Sequence, residues 1–220
     1  MQKTLYLALV TTSFTGIANA NDGLYTSVKS GISSVEFKNS TYKALEETSN
    51  NNSKYETVYP SIYVAAGYDL SDISPVDARL ELEYGYKYTT DFNPTLANQA
   101  LDRINNEVTT QTLMLNGYYD IKNSTKFTPY VNTGVGFTHL KNKQTIKANE
   151  FSNSDSDNHF TLSAGVGVKY AVSKDVSLDL SYRYVDAGKF KFDNTLGPNK
   201  TETNVKLRSN EFLLGIQYKF

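Results

Sequence analysis

Apolar and polar residues alternate strictly in eight segments of this chain, and this alternation restricts the fold more than any other feature. Between residues 78 and 88, for example, apolar or aromatic residues occupy the even positions, and charged residues with one glycine occupy the odd positions. A period of two puts successive side chains on opposite faces of a β-strand. The sequence therefore predicts an all-β fold with eight strands. The segments are residues 24–32, 60–69, 78–88, 112–119, 130–137, 160–170, 176–184 and 211–220.

The connections between these segments alternate between long and short. The long connections are rich in Asn, Ser, Thr and Lys and cover residues 38–56, 90–106, 142–158 and 187–204, whereas the short ones cover residues 69–76, 120–127 and 173–175. Consecutive antiparallel strands end at opposite edges of a sheet, so every second connection lies at the same end. Connections of roughly 17–20 residues are uncommon in compact domains and are usually functional or disordered. We therefore expect an up-and-down antiparallel sheet with four long loops at one end.

The alternation alone allows two architectures. A soluble sandwich or lipocalin-like barrel turns its apolar face inward, whereas a transmembrane barrel turns that face toward lipid. The polar face of the segments combines full charges with many glycines. Eight strands enclose a narrow interior, in which glycines would leave room for long charged side chains from the opposite wall. Tyr and Phe, 17 and 11 in number, also cluster at both ends of the segments, as in the aromatic girdles of membrane barrels. The sequence thus predicts an eight-stranded antiparallel up-and-down transmembrane β-barrel.

Charged residues on the predicted inward face form a candidate interior network, because charges held away from water must pair. Two glutamates, Glu81 and Glu83, are spaced like a general acid–base pair. Arg79 and Lys87 flank them on the same face, which favours buried pairing over catalysis. The predicted network consists of Arg79, Glu81, Glu83, Lys87, Lys169, Asp179, Arg183 and Glu211, and Lys29 and Lys219 share the predicted inward face.

The first twenty residues have the pattern of a secretory signal peptide. Lys3 provides a positive start, residues 5–10 form a short apolar core, and Ala18 and Ala20 frame a small-x-small cleavage site. No stretch reaches the ~18–20 apolar residues of a transmembrane helix. We therefore expect a signal peptide at residues 1–20 and an exported barrel domain at residues 21–220.

Composition argues against most chemical functions. The chain has no Cys, and its 22 Lys and Arg residues balance 23 Asp and Glu residues, so no general positive field favours nucleic acid. His139 and His159 lie at neighbouring strand ends and could meet as metal ligands or as a general base, but solvated histidines at strand ends are far more common. We expect no metal, no cofactor and no enzymatic activity.

Several strands resemble a known family. The run from residue 212 to 220, which ends in Tyr218-Lys219-Phe220, resembles the C-terminal signal read by the bacterial outer-membrane assembly machinery. Residues 112–121 (TLMLNGYYDI), residues 127–136 (FTPYVNTGVG) and residues 79–84 (RLELEY) resemble strands of opacity-type outer-membrane proteins and small enterobacterial invasins.

This resemblance implies a barrel anchored in the bacterial outer membrane, in contact with lipid and lipopolysaccharide. It also implies extracellular loops that bind a host receptor or a heparan-type glycan, as in an adhesin or invasin. A small porin and a purely structural envelope barrel remain alternatives. The most basic region is the last loop with its flanks, where the candidate ligand-binding residues are Lys189, Lys191, Lys200, Lys206 and Arg208.

Overall fold

The computed structural model describes the backbone of six ranges of the chain. They are residues 23–44, 47–49, 54–90, 104–146, 151–196 and 199–220. Side chains are described within residues 23–36, 58–71, 73–87, 109–141, 156–188 and 206–220. The predicted signal peptide lies outside the described residues. Within them, no helix is long and apolar enough to cross a membrane.

Eight long antiparallel strands form a closed cylinder. Together with the short strand β2, the described strands are β1 (Leu24–Ala44), β2 (Glu47–Ser49), β3 (Lys54–Asp69), β4 (Ala78–Thr90), β5 (Ile104–Asp120), β6 (Phe127–Ile146), β7 (Phe151–Ala171), β8 (Val176–Leu196) and β9 (Asn199–Lys219). A short 3₁₀ helix covers Leu70–Asp72. Each long strand pairs with the next one along the chain, and β1 also pairs with β9, which closes the barrel. β2 is a three-residue strand paired with the end of β1. The predicted up-and-down eight-stranded barrel is confirmed.

The two ends of the barrel differ. We call the end with the short turns the lower end and the other the upper end. At the upper end, β6 and β7 stay paired as far as Ile146 and Phe151, and β8 and β9 stay paired as far as Leu196 and Asn199.

Long loops over residues 142–158 and 187–204 were therefore the wrong prediction, because most of these residues belong to strands. Beyond the barrel wall both faces of a hairpin meet water, so the backbone ladder continues without an apolar alternation that would reveal it. Of the predicted loop at residues 90–106, residues 91–103 lie outside the described residues.

The barrel wall is apolar outside and polar inside. On the outer face, Leu82 is 55% exposed and Leu214 is 63% exposed, whereas the inward-facing neighbours Glu83 and Glu211 are fully buried. A water-soluble barrel has the opposite arrangement, with its apolar side chains enclosed. The outer surface is therefore suited to lipid, as the sequence predicts.

Aromatic rings border the apolar band at both ends. Near the lower end, Tyr218 packs against Phe220, with ring centroids 5.2 Å apart. Near the upper end, Phe137 packs against Phe160 at 5.8 Å, and Phe212 is exposed on the same outer face. Amphipathic rings favour the interface between hydrocarbon and water, so the two rings of aromatics mark the limits of the membrane-spanning wall.

Three inward glycines, Gly67, Gly85 and Gly167, make room for tyrosine rings and not, as expected, for charged side chains. A Cβ on Gly67 would lie 2.2 Å from the Tyr25 ring, and one on Gly85 would lie 2.3 Å from the Tyr63 ring. Each of these glycines is the direct cross-strand partner of the tyrosine that covers it. Gly215 does lie against a charged residue, because the aliphatic stem of Lys29 packs against it, but Lys29 is its cross-strand partner and does not come from the opposite wall.

Candidate functional site

Charged side chains fill the middle of the barrel. The described interior holds five cationic and five anionic side chains: Lys29, Arg79, Lys87, Lys169 and Arg183, with Glu81, Glu83, Asp120, Asp179 and Glu211. All eight residues of the predicted network are among them, together with Lys29, which is also predicted to face inward, and Asp120. Lys219, the other lysine predicted inside, is only partly buried. Equal numbers of opposite charges allow the buried ions to neutralise one another, as an interior shielded from water requires.

The upper part of this network is centred on Arg183 of β8. Its Nη1 lies 2.5 Å from Oε1 of Glu83 on β4, and its Nε and Nη2 donate to Oε2 of Glu211 at 3.0 and 2.8 Å. Lys87 forms an ion pair with the other oxygen of Glu211. The Tyr63 hydroxyl donates to Glu211 at 2.9 Å. Arg183 therefore crosses the lumen and links strands that are not neighbours in the sheet.

Lys29 of β1 occupies the middle level. Its Nζ donates to Glu81 at 2.7 Å, to Glu83 at 2.9 Å and to the hydroxyl of Tyr118 at 3.0 Å. Tyr118 in turn donates to Glu81 at 2.7 Å. The two glutamates thus carry structural ion pairs to Lys29 and Arg183, which agrees with the pairing interpretation of their spacing.

The lower level contains a residue that the sequence analysis missed. Arg79 binds both carboxylate oxygens of Asp120, and Lys169 binds the same carboxylate at 2.7 Å. The sequence pattern predicts that Asp120 begins a short connection, but it is the last residue of β5. It shares the parity of the inward-facing Tyr118, so extending the alternation by one residue would have revealed it.

An apolar layer lies inside the barrel above the charges. It is a buried cluster contributed by five strands and consists of Val35, Tyr59, Leu140, Ala187 and Leu207. Because both this layer and the ionic network are nearly inaccessible to solvent, the described part of the lumen is filled by side chains. Such an interior is suited to hold the wall rigid and closed.

The two histidines do not come together. His139 pairs with Asn158, and His159 pairs with Thr138, so the two histidines are one position apart in the ladder and lie on opposite faces of the sheet. His139 is bonded to the Asn158 side chain, and His159 to Asp157, each at 2.8 Å. The described residues contain no group of three or more candidate side chains that could hold a metal ion.

The candidate ligand-binding residues lie on the upper part of β8 and β9. Lys206 and Arg208 share the carboxylate of Asp186, at 3.3 and 3.2 Å. Lys189 is the direct cross-strand partner of Lys206. For Lys191 and Lys200, as for Lys189, the structure describes the position in the strand but not the side chain.

Asp186 lies two residues above the outward-facing Tyr184, beyond the upper aromatic ring. Its other oxygen accepts the backbone N–H of Gly188 at 3.0 Å. Partial burial opposes ionisation of this carboxyl, but the Gly188 N–H and the cations Lys206 and Arg208 outweigh that effect and hold the pKa of Asp186 below its ordinary value.

The barrel divides into two sheets above this point. Within the described ranges, β7 and β8 are paired no higher than Leu162 and Asp186, and β3 and β4 no higher than Ser61 and Lys87. The remaining ladders continue upward, which leaves one sheet of β8, β9, β1 and β3 and another of β4, β5, β6 and β7. We call the first the β8–β3 sheet.

The chain is similar to known sequences of outer membrane proteins. Residues 4–220 match the model of the family described as outer membrane protein beta-barrel domain. The chain is 34% identical over 226 residues to outer membrane protein PagN of Salmonella typhimurium, covering 94% of each chain. It is also 26% identical over 110 residues to a Rickettsia massiliae protein named "Putative adhesin", covering 48% of this chain and 49% of that one.

Solved structures share the fold at low sequence identity. The outer membrane protein OprG of Pseudomonas aeruginosa matches with a TM-score of 0.59 and 17% identity, covering 90% of this chain and 96% of OprG. Neisserial surface protein A matches with a TM-score of 0.55 and 17% identity, covering 90% of this chain and 97% of that protein.

Proposed function

Because the chain belongs to the outer membrane protein beta-barrel family, and therefore lies in the outer membrane of a bacterium, we propose that it is an adhesin. Its upper end faces the medium and binds a receptor or glycan on a host or matrix surface. Its barrel serves as the anchor in lipid and lipopolysaccharide.

The observation that carries this proposal is the length of the strands. β1, β7, β8 and β9 each contain 21 residues, whereas a tilted strand crosses the hydrocarbon with about 9–11. β8 continues from Tyr184 in the upper aromatic ring to Leu196, roughly 40 Å along the strand at about 3.3 Å per residue. This extension contributes nothing to spanning the membrane, so it is available for binding.

Relatives support the same function. A protein named as an adhesin aligns with about half of this chain. The basic residues Lys189, Lys191, Lys200, Lys206 and Arg208 are candidates for contacts with an acidic receptor or a sulfated glycan. We propose that the protein acts through binding and not through catalysis.

A narrow pore is the alternative function, and the interior favours the anchor instead. Arg183 and Glu83 meet across the lumen, and the apolar layer of Val35, Tyr59, Leu140, Ala187 and Leu207 lies above them. We expect the refolded protein to give no steady conductance in planar bilayers. A stable open level would favour the pore.

Adhesion is tested by replacing the β8–β9 hairpin above the membrane. The full-length protein is expressed in a non-adherent laboratory strain, and residues 189–204 are exchanged for a short Gly-Ser turn. The heat-induced gel shift of the barrel serves as the assembly control. We expect binding to cultured epithelial cells to fall to the level of the empty strain, and unchanged binding would exclude this hairpin.

The C-terminal residues Tyr218 and Phe220 are proposed as the signal for the assembly machinery. They lie where β9 meets the start of β1, and the Phe220 N–H donates to the Leu24 carbonyl at 3.0 Å. Deleting Phe220 should lower the amount of barrel in the outer membrane. We also propose that export requires residues 1–20, with the mature chain beginning at Asn21.

A further inference from the structure

One strand of the upper end has an edge with no strand paired to it. β8 pairs with β9 all the way from Val176 to Leu196, but within the described ranges its pairing with β7 stops at Asp186. Above that residue, one side of β8 presents backbone N–H and C=O groups that no described strand of the barrel pairs. Such an edge is a template for pairing with another chain.

The edge begins at a β-bulge. The register of β8 against β9 shifts between Asp186 and Lys189, and Gly188 has φ +81°, a conformation that favours glycine. The Asp186 carboxylate accepts the Gly188 N–H and also binds Lys206 and Arg208 of β9. Bulges commonly bend a strand and terminate pairing. β8 is thus turned away from β7 by a built feature at the level where their ladder ends.

Lysines occupy one register position across four strands of the β8–β3 sheet. Lys189 of β8 pairs with Lys206 of β9, Lys206 pairs with Lys38 of β1, and Lys38 pairs with Lys54 of β3. Directly opposed residues lie on the same face of a sheet, and like charges at such positions destabilise it. Asp186 binds Lys206 but shares its charge with Arg208. Glu36 and Glu56 also lie on this face, two residues from Lys38 and Lys54, so an added anion is expected to act at the β8 end of the line, at Lys189.

The line of lysines ends at the free edge, because Lys189 belongs to β8. A strand added beside β8 would place its own residue next in the line, opposite Lys189, and a second residue on the same face opposite Lys191. Phe190 and Phe192 alternate with these lysines and occupy the other face. Asp193 is the next residue on the face of Lys189 and Lys191, so the matching segment has acidic residues opposite the two lysines, a neutral polar residue opposite Asp193, and apolar residues between these positions.

We propose that the β8 edge from Lys189 to Leu196 binds an extended acidic segment of a partner protein as an added strand. Backbone hydrogen bonds supply the affinity, as in other cases of strand addition, and the line of lysines selects the sign of the charge. This inference rests on the proposed adhesive function and specifies the chemistry of the partner.

The proposal is tested with synthetic peptides on the full-length protein refolded in lipid nanodiscs. The probe is a capped octapeptide that alternates polar residues with Val, with Glu at the two polar positions that would face Lys189 and Lys191 and Thr at the other two, and binding is measured by fluorescence anisotropy. A second peptide carries N-methyl groups on every second residue, which keeps all the charges but removes donors from one edge of the strand. A third has the same composition with its Glu residues grouped.

We expect the alternating peptide to bind, and either change to weaken binding at least about tenfold, because the N-methyl groups remove backbone hydrogen bonds and the grouped order moves Glu away from the lysines. Lys189→Glu should weaken binding to a similar extent. Lys143→Glu on β6, in the other upper sheet, is the matched control and should leave it unchanged. Equal binding of the N-methylated peptide, or equal effects of the two substitutions, would reduce the interaction to general charge attraction and overturn the proposal.

Three further measurements distinguish strand addition from the alternative explanations. If heparin binds in a Lys189-dependent way and the peptide does not, the line of lysines is a glycan site and strand addition is wrong. If the protein self-associates in nanodiscs and the association is lost in Lys189→Glu, the occupant is a second copy of the chain. Cell adhesion that survives Lys189→Glu while peptide binding is lost would refute the edge as the adhesive site and leave the proposed function standing.

Discussion

Arg79 and Asp120 form a bidentate ion pair between neighbouring strands at the lower end of the barrel. Arg79 Nε donates to Asp120 Oδ2 at 2.8 Å, and Nη2 donates to Oδ1 at 3.0 Å. The guanidinium also stacks 4.3 Å from the centre of the Tyr118 ring, and Lys169 binds Asp120 from β7. One carboxylate therefore binds two cations and ties three strands together.

Removing that carboxylate should destabilise the barrel strongly. In Asp120→Asn, Arg79 and Lys169 lose their shared anion inside the wall, and we expect a loss of about 3–5 kcal/mol in the free energy of unfolding. Urea titration in lipid vesicles, followed by tyrosine fluorescence, measures the change.

The same substitution at Asp77 is the control, because its ion pair with Lys122 lies in exposed turns. An exposed pair contributes about 0–1 kcal/mol. If both variants have equal urea midpoints, the Asp120 carboxylate is not a structural centre.

Arg183→Leu should lower the temperature at which the barrel unfolds in detergent. Glu83 keeps Lys29 and Glu211 keeps Lys87, but two buried anions lose their common cation, so the interior becomes net negative. The heat-induced shift in gel mobility reports the change. Arg208→Leu, which removes an exposed partner of Asp186, should move the transition little. A wild-type transition in Arg183→Leu would contradict the pairing of charges across the lumen.

Gly67→Ala should be more costly than Gly117→Ala. A Cβ at Gly67 would lie 2.2 Å from the Tyr25 ring, whereas one at Gly117 would have nothing within 4 Å. Overpacking of this kind costs about 1–3 kcal/mol. Adding Tyr25→Leu to Gly67→Ala should recover part of the lost stability. If Gly67→Ala is as stable as the wild type and the added Tyr25→Leu brings no gain, the ring does not require the glycine.

The bulge at Gly188 should depend on pH through Asp186. The pKa of this carboxyl is lower in the folded protein than its ordinary value of 3.8, so its contribution is complete above that value and is lost as the pH falls through the folded value. Exchange of the Gly188 amide, corrected for intrinsic rate, should accelerate in strongly acidic buffer. Asp186→Asn should remove this dependence, and equal protection of the wild-type amide at pH 6 and in strong acid would refute the role of the carboxylate.

Sequence patterns are sufficient to predict the number of strands, their direction and the face that meets lipid. The number of strands follows from local periodicity, since alternation in a single strand such as β4 shows that Leu82 and Glu83 lie on opposite faces. The up-and-down order follows from the alternation of long and short connections. The face that meets lipid follows from the charges and glycines of the opposite face and from the aromatic residues at the strand ends. The family and its membrane location, which the strand motifs of residues 79–84, 112–121 and 127–136 predict, are confirmed by the comparisons.

Tertiary structure alone decided which charges meet and where the cylinder opens. Arg79 pairs with Asp120 and not with the glutamates beside it in sequence, because register and barrel closure fix which side chains cross the lumen. The sequence pattern predicts loops where the upper strands lie, since a hairpin with water on both faces has no alternation that would indicate a strand. The four-strand line from Lys189 to Lys54 likewise arises from register, which depends on contacts between residues far apart in the chain.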